Sequence, residues 1–205
     1  MMYGESRKLP EGSGQMKRES IYRIFSDIPT LVTERLTLRG MRRTDVSDMF
    51  EYASRADVTE FLLWSAHKSR AYTEEYLRYV ESRYATGDFY DWAITDTASG
   101  KMIGTCGFAA IDTVNEVGEI GYVLNPEYHG RGIAVEAARA VMSFGFAELG
   151  MHRIEVRFMD GNEASRKVME KLGMSFEGFA REAIFVKGEY KTVGKYAVLA
   201  KEFGK

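Results

Sequence analysis

Three places in this chain carry residue types and spacings that could do chemistry. The first is His129-Gly130-Arg131-Gly132-Ile133-Ala134. It lies between "EIGYVL", which alternates like a strand, and an Ala-rich stretch that reads as a helix. The first N–H groups of a helix have no partner within it, and the helix dipole makes that end an anion site. Glycines let the backbone curl so that successive N–H groups converge and a bulky phosphate can approach. A tight turn with no ligand is the plainer alternative. The second place is Glu119, a carboxylate inside the same strand, on the face opposite Ile120, Tyr122 and Leu124. Its plain reading is a solvated strand charge. The third is Asn162 with Ser165 at the start of a later helix, where Asn162 reads as an N-cap.

Other chemistries lose on pattern. A P-loop needs Gly-x-x-x-x-Gly-Lys-[Ser/Thr], which is absent. A dinucleotide fingerprint needs a third glycine where Val135 stands. Three histidines without ligand spacing argue against a metal site, and His152 reads as structural. The single Cys106, with Ile103 and Phe108 as neighbours, reads as a buried thiol in a strand. One cysteine gives no disulfide framework, which predicts a reducing, cytoplasmic setting. A net charge of −2 does not suit nucleic acid as the main partner. No apolar run is long enough to predict a membrane span, and the N-terminus has no signal-peptide core.

The elements that must position these residues follow from periodicity. Residues 1–20 are polar and carry Gly12 and Gly14; with residues 21–30 they predict a flexible or loosely packed extension. A single domain is expected over 31–205. "RLTLRGM" reads as a strand, followed by a helix capped by Thr44 and a second helix from Val58 to Trp64. A longer helix runs from Ser69 to Tyr84, with Tyr72, Tyr76, Tyr79 and Val80 as a core-packing stripe. Three strands follow, in which Gly104 and Gly107 suggest a bulge or a close backbone approach. Then come the Gly-Arg-Gly turn and its helix, the strand "RIEVRFM", a helix over Glu163–Leu172, and two strands joined at Lys187-Gly188. The one crossover, from "EIGYVL" to "RIEV", makes those two strands parallel. The fold class is therefore α/β (α+β): a mixed, mostly antiparallel sheet of about six to seven strands with helices on both faces.

At this point the chain resembles a known family. "HGRGIA" is similar to the Arg/Gln-x-x-Gly-x-Gly/Ala acyl-CoA signature of the GNAT acetyltransferases. Together with "TERLTLR", "EIGYVLNPEYHGRGIAVEA" and "NEASRKVMEKLGMSFEG", it resembles the RimJ/RimL-like branch over about Leu31 to Ala200. Two positions depart from the pattern. His129 stands where Arg or Gln is usual, and Thr192 stands where an Asp often follows the Tyr.

The resemblance implies a central parallel pair that splays apart, with acetyl-CoA as cosubstrate entering the gap. Strand-edge contacts are then expected from Gly121, Val123 and Leu124, and pyrophosphate contacts from Arg131, Gly132, Ile133 and Ala134. Asn162 would lie near the pantetheine and Ser165 near the thioester sulfur. Arg166 and Lys167 read as a solvated helix face, with the nucleotide 3′-phosphate as the alternative. The acceptor implied is a primary amine, on a peptide N-terminus or a small molecule. Acetyl transfer to an amine needs a base, a polarised carbonyl and support for the leaving thiolate. Glu119 is the expected base and Ser165 the expected thiolate partner, with Tyr122 and Tyr190 as alternatives. Phe61, Leu62 and Trp64 are expected to border the acceptor, and His67 to lie in a loop beside it. A homodimer is left open, and a catalytically silent CoA-binding module is the competing function.

Overall fold

The computed structural model describes residues 18–204. The chain runs α1 (Arg18–Phe25), β1 (Leu31–Val32), β2 (Leu36–Arg39), a 3₁₀ turn (Arg43–Asp45), α2 (Val46–Ala53), α3 (Ala56–Thr59) and α4 (Arg70–Thr86). It continues with β3 (Asp91–Asp96), β4 (Met102–Asp112), β5 (Val117–Leu124), a second 3₁₀ turn (Pro126–Tyr128), α5 (Ile133–Ala147), β6 (Arg153–Met159), α6 (Glu163–Lys171), β7 (Ser175–Val186) and β8 (Glu189–Leu199). The strands form one eight-stranded sheet in the order β1-β2-β3-β4-β5-β6-β8-β7. Among the described residues β5 and β6 are its one parallel pair. The two-residue β1 is the strand that periodicity could not supply, because two residues make no pattern.

Side-chain alternation sends the strands' residues to two different packing faces. Trp92, Ile94, Ile120 and Leu124 face α1 and α5, where Ile133, Ala137, Val141 and Met142 form the buried stripe of the helix. Ala93, with Val123 beside it, faces α2 and α4 and meets Tyr52, Leu77 and Val80. Gly107 is dictated by space: a Cβ there would lie 2.2 Å from the carbonyl of Tyr90, the residue before β3. Gly104 is held the same way, 2.2 Å from Val123 O. These are the close approaches expected of the two glycines.

Helix α1 changes the expected boundary. Its Ile21 and Phe25 are fully or nearly fully buried, and Phe25 packs edge-on against Trp92, Tyr90 and Phe144. Burying each is worth about 2 kcal/mol. Trp92 Nε1 also donates to Pro29 O at 2.6 Å. Helix α1 thus packs on the core through Ile21 and Phe25; residues 1–17 of the expected extension lie outside the described residues.

Three local expectations are corrected by capping and packing. Asp45, not Thr44, closes the turn before α2: its Oδ2 accepts from Arg42 N–H at 2.8 Å, and both its oxygens accept from Arg39. The helix expected to reach Trp64 ends at Thr59, and His67 N–H folds back to Ala53 O at 2.9 Å. On α4 the buried positions are Thr73, Leu77, Val80 and Tyr84, while Tyr72 and Tyr79 face solvent. Ser69, where the helix was expected to begin, is its N-cap and accepts from Tyr72 N–H at 3.2 Å.

Candidate active site

The central feature is where β5 and β6 stop pairing. Their ladder has three rungs, Val117↔Arg153, Gly118↔Ile154 and Glu119↔Glu155. Beyond Glu119, β5 keeps its partner β4 and β6 keeps its partner β8 from Val156 to Met159, so the two strands part. This is the splayed parallel pair. A one-residue bulge in β4 between Phe108 and Ala110 lies opposite the same point of β5.

Backbone direction at the gap follows from one bond. Asn125 N–H donates to Ile103 O at 2.7 Å, so β5 residues in step with it, Val123 and Gly121, also direct their backbone groups at β4. Tyr122 and Leu124 direct theirs into the gap. The expected edge set of Gly121, Val123 and Leu124 is therefore one residue out of phase at its first two members. Sequence alternation fixes faces but not which edge an N–H points to. Leu124 O is itself engaged by His129 Nε2 at 3.0 Å. A carbonyl only accepts, so Nε2 carries the hydrogen. The side chain at the divergent first position of the signature thus caps the gap-facing edge.

The helix mouth lies just beyond. Gly130 has φ +75° and Gly132 φ +77°, conformations that glycine adopts freely. Gly132 is the N-cap of α5, no side chain caps that end, and the first helical bond is Glu136 N–H to Gly132 O at 3.0 Å. The N–H groups of Ile133, Ala134 and Val135 precede that bond. Arg131 lies over the Tyr128 ring, 5.3 Å from its centroid, and its carbonyl accepts from Arg35 Nη1 at 3.0 Å. Arg35 also pairs with Glu136 at 2.5 Å, so the one carboxylate in the first turn does not oppose an incoming anion. Arg35 was missed by sequence reading; its signal, a charge in the turn before a strand, is common to most surface arginines.

On the α5/α6 side of the gap, Tyr122 and Ser165 meet. The Tyr122 hydroxyl lies 2.8 Å from Ser165 Oγ and 3.2 Å from Ser165 O. Burial pushes the Tyr122 phenol up, so it stays protonated at neutral pH. Asn162 Oδ1 accepts from Ser165 N–H at 3.1 Å and caps α6. The two expected residues and one of the alternatives are thus one connected group. The other alternative, Tyr190, is 66% exposed on the β7–β8 hairpin and stacks on Phe185. Arg166 pairs with Glu163 and Glu170 along the outer face of α6.

Glu119 stands at the last rung, and both its oxygens are taken: Arg157 Nε donates to Oε1 at 2.8 Å and Nη2 pairs with Oε2 at 2.7 Å. It borders a 330 Å³ cleft with Ala110, Asp112, Asn115, Val117 and Glu155. On the α2/α4 side, Phe61 approaches Gly161, and Lys187 Nζ donates to Thr59 O, so the hairpin tip meets the α3 segment. His67 is buried among Trp64, Tyr72 and Tyr76 and bonds Thr73 through Nδ1 at 2.8 Å; burial lowers its pKa. Cys106 is fully buried, and burial pushes its thiol well up, which suits an inert core residue.

Comparison with known proteins agrees with this geometry. Residues 35–175 match the model of the acetyltransferase (GNAT) domain. The N-acetyltransferase p20 of Bacillus licheniformis is 31% identical over 174 residues, which is 85% of this chain and 98% of that protein. A GNAT-family acetyltransferase structure from Bacillus anthracis superposes with a TM-score of 0.76 at 28% identity, covering 85% of this chain and all of that one. RimL, a ribosomal-protein alpha-N-acetyltransferase in complex with coenzyme A, has the same fold, with a TM-score of 0.71 at 23% identity over 83% of this chain and 98% of its own. A splayed parallel pair, an uncapped glycine-rich helix mouth at its open end, and a family match spanning both have one explanation: this chain belongs to the GNAT acetyltransferases.

Proposed function

We propose that the enzyme transfers the acetyl group of acetyl-CoA directly to a primary amine. The observation that carries this reading is the gap itself. Its floor offers the backbone groups of Tyr122 and Leu124, and its open end leads to the free N–H groups of Ile133, Ala134 and Val135. An extended thiol-bearing arm suits the first and a pyrophosphate the second. The coenzyme supplies an activated acyl carbon and a thiolate leaving group. The RimL name adds weight to a peptide N-terminus as acceptor, and small amines are the other source of the same nucleophile. A reducing, cytoplasmic setting suits the lone buried thiol of Cys106.

The chain's own residues divide the work. The Tyr122–Ser165 pair holds a hydroxyl proton beside the gap, where the thiolate departs. Glu119, with both oxygens tied to Arg157, forms an ion pair at the foot of the gap. The test is acetyl-CoA binding read by thermal shift, with release of free thiol on adding mixed amines. At about one hundred times Kd, the ligand should stabilise the fold by about 2.7 kcal/mol. Gly132→Pro cannot keep φ near +77° and should abolish that shift while the apo protein stays folded. A shift without amine-dependent thiol release would instead mark a CoA-binding module.

A further inference from the structure

On the α2/α4 face, directly opposite residues of β3, β4 and β5 form a row: Asp91↔Gly107↔Gly121. Directly opposite residues project to the same face. Only the first of these three has a side chain, and its Oδ1 lies 2.8 Å from where a Gly107 Cβ would be, so the carboxylate leans over Gly107 toward β5. A methyl group at Gly121 would meet no atom within 4 Å. Two strand spacings, about 10 Å, separate Asp91 from the strand that borders the gap, and neither Gly107 nor Gly121 puts a side chain between them.

The polar atoms here lack partners. Asp91 Oδ1 and the Tyr52 hydroxyl are both buried without a hydrogen bond. Buried polar groups are almost always paired, and an orphan carries the full cost of its desolvation. A carboxylate oxygen accepts, so the missing partner is a hydrogen-bond donor, and an ammonium is a donor that also brings the opposite charge. On the acetyltransferase reading above, on which this inference rests, that is the acceptor. We propose that Asp91 is the catalytic carboxylate that draws the acceptor's primary ammonium to the open space over Gly121 and takes its first proton through water.

The protons and bonds balance as follows. Asp91 takes one proton from the ammonium through water and gives it to solvent. The freed amine forms the C–N bond as the C–S bond breaks. The second proton lost by nitrogen matches the one gained by the departing thiolate on the Ser165 side. The net change is ammonium plus thioester to amide, thiol and one proton.

Burial pushes the Asp91 carboxyl up to about 7, against the opposing pull of Thr105 and the Trp92 backbone. The groups facing it are Tyr52 on α2, Tyr76 and Tyr84 on α4, and Thr105 on β4; none is cationic. Burial pushes the three phenols up as well, so Asp91 is the member of this cluster that titrates near neutrality. Glu119, by contrast, is already bound to a cation.

The test uses the full chain, acetyl-CoA, and the best-used member of a panel of an alanyl peptide, a lysyl peptide and putrescine. Asp91→Asn should lower kcat/KM for the amine about 10²-fold, with acetyl-CoA Kd within about twofold of wild type. The rising limb of the wild-type kcat/KM profile near pH 7 should vanish in Asp91→Asn and persist in Glu119→Gln. Gly121→Ala, which fills the open space, should also lower kcat/KM for the amine while the acetyl-CoA thermal shift remains. Wild-type kcat/KM and an unchanged limb in Asp91→Asn would overturn the assignment. Should that variant not fold, full activity in Gly121→Ala, or loss of the limb in Glu119→Gln, would overturn it instead. A wild-type protein that neither binds acetyl-CoA nor releases thiol with any amine would refute the acetyltransferase reading itself, a separate outcome.

Discussion

The two faces of β5 are built to different standards. On the α5/α6 side nearly every polar group near the gap has a partner: Tyr122 with Ser165, Ser165 N–H with Asn162, His129 with Leu124 O, and Arg35 with Glu136. On the α2/α4 side Asp91 Oδ1 and the Tyr52 hydroxyl have none, and Gly121 leaves open space. A surface that grips a large ligand gains from being pre-formed, since little must reorganise on binding. A surface that takes a proton needs a group whose ionised form is poorly stabilised until the substrate arrives. On the two proposals above, the contrast would separate holding from reacting, and the second face would cost the fold stability that the first does not.

That cost is the largest effect to measure. In the unfolded chain Asp91 should titrate near 3.8, and in the fold near 7. Between those values the native state binds more protons than the unfolded one, so stability falls as pH rises through that window and stays low above it. The full difference is at most about 4 kcal/mol. Asp91→Asn removes the charge, so its melting temperature should exceed wild type above pH 7, with the gain shrinking toward pH 4. A stabilised protein with a crippled reaction is the opposite of what loss of a structural residue produces. If Asp91→Asn is less stable than wild type at pH 8, the two faces do not differ in the way described.

The same contrast sets what was legible in the sequence. The proposed cradle is sequence-local: strand, Gly-Arg-Gly turn and helix are contiguous, and Asn162 and Ser165 lie on one helical turn, so motif spacing could point to them. The alternation around Glu119 gave the right face of β5, and the crossover gave the parallel pair. Asp91, Gly107 and Gly121 are scattered through the chain and meet only through the register of three strands. That register is set in part by the bulge in β4 between Phe108 and Ala110, for which the sequence offers no count. Arg157 escaped notice for the same reason, since its partner Glu119 lies across the splay. Helix α1 was missed because its polar sequence hides two anchors, Ile21 and Phe25, four residues apart.

A smaller effect sharpens the cradle side. Ser165→Ala deletes a hydroxyl from a capped helix, so the melting temperature should barely move. If that hydroxyl supports the departing thiolate, kcat and kcat/KM should fall together, about tenfold. Tyr122→Phe should do much the same. Since the two hydroxyls lie 2.8 Å apart and act through one proton, the double variant should be little worse than either single one. Additive losses would mean two separate roles, and no loss in any variant would leave the pair structural and give the proton to solvent.

The smallest effect tests whether a satisfied contact on this side also matters to the reaction. Asn162→Ala removes the cap on α6, which costs about 1 kcal/mol and lowers the melting temperature by about 2–4 °C. Asn162 Oδ1 bonds the N–H of Ser165 itself, so the same change should loosen the hydroxyl that Tyr122 meets. Turnover should drop modestly alongside stability. Asn162→Asp keeps an oxygen acceptor at the helix N-terminus, where negative charge is favoured, and should restore both. Stability restored without turnover would mean that the amide group also touches the coenzyme. Stability lost with turnover intact would make Asn162 a cap and nothing more, and would place the positioning of Ser165 on Tyr122 alone.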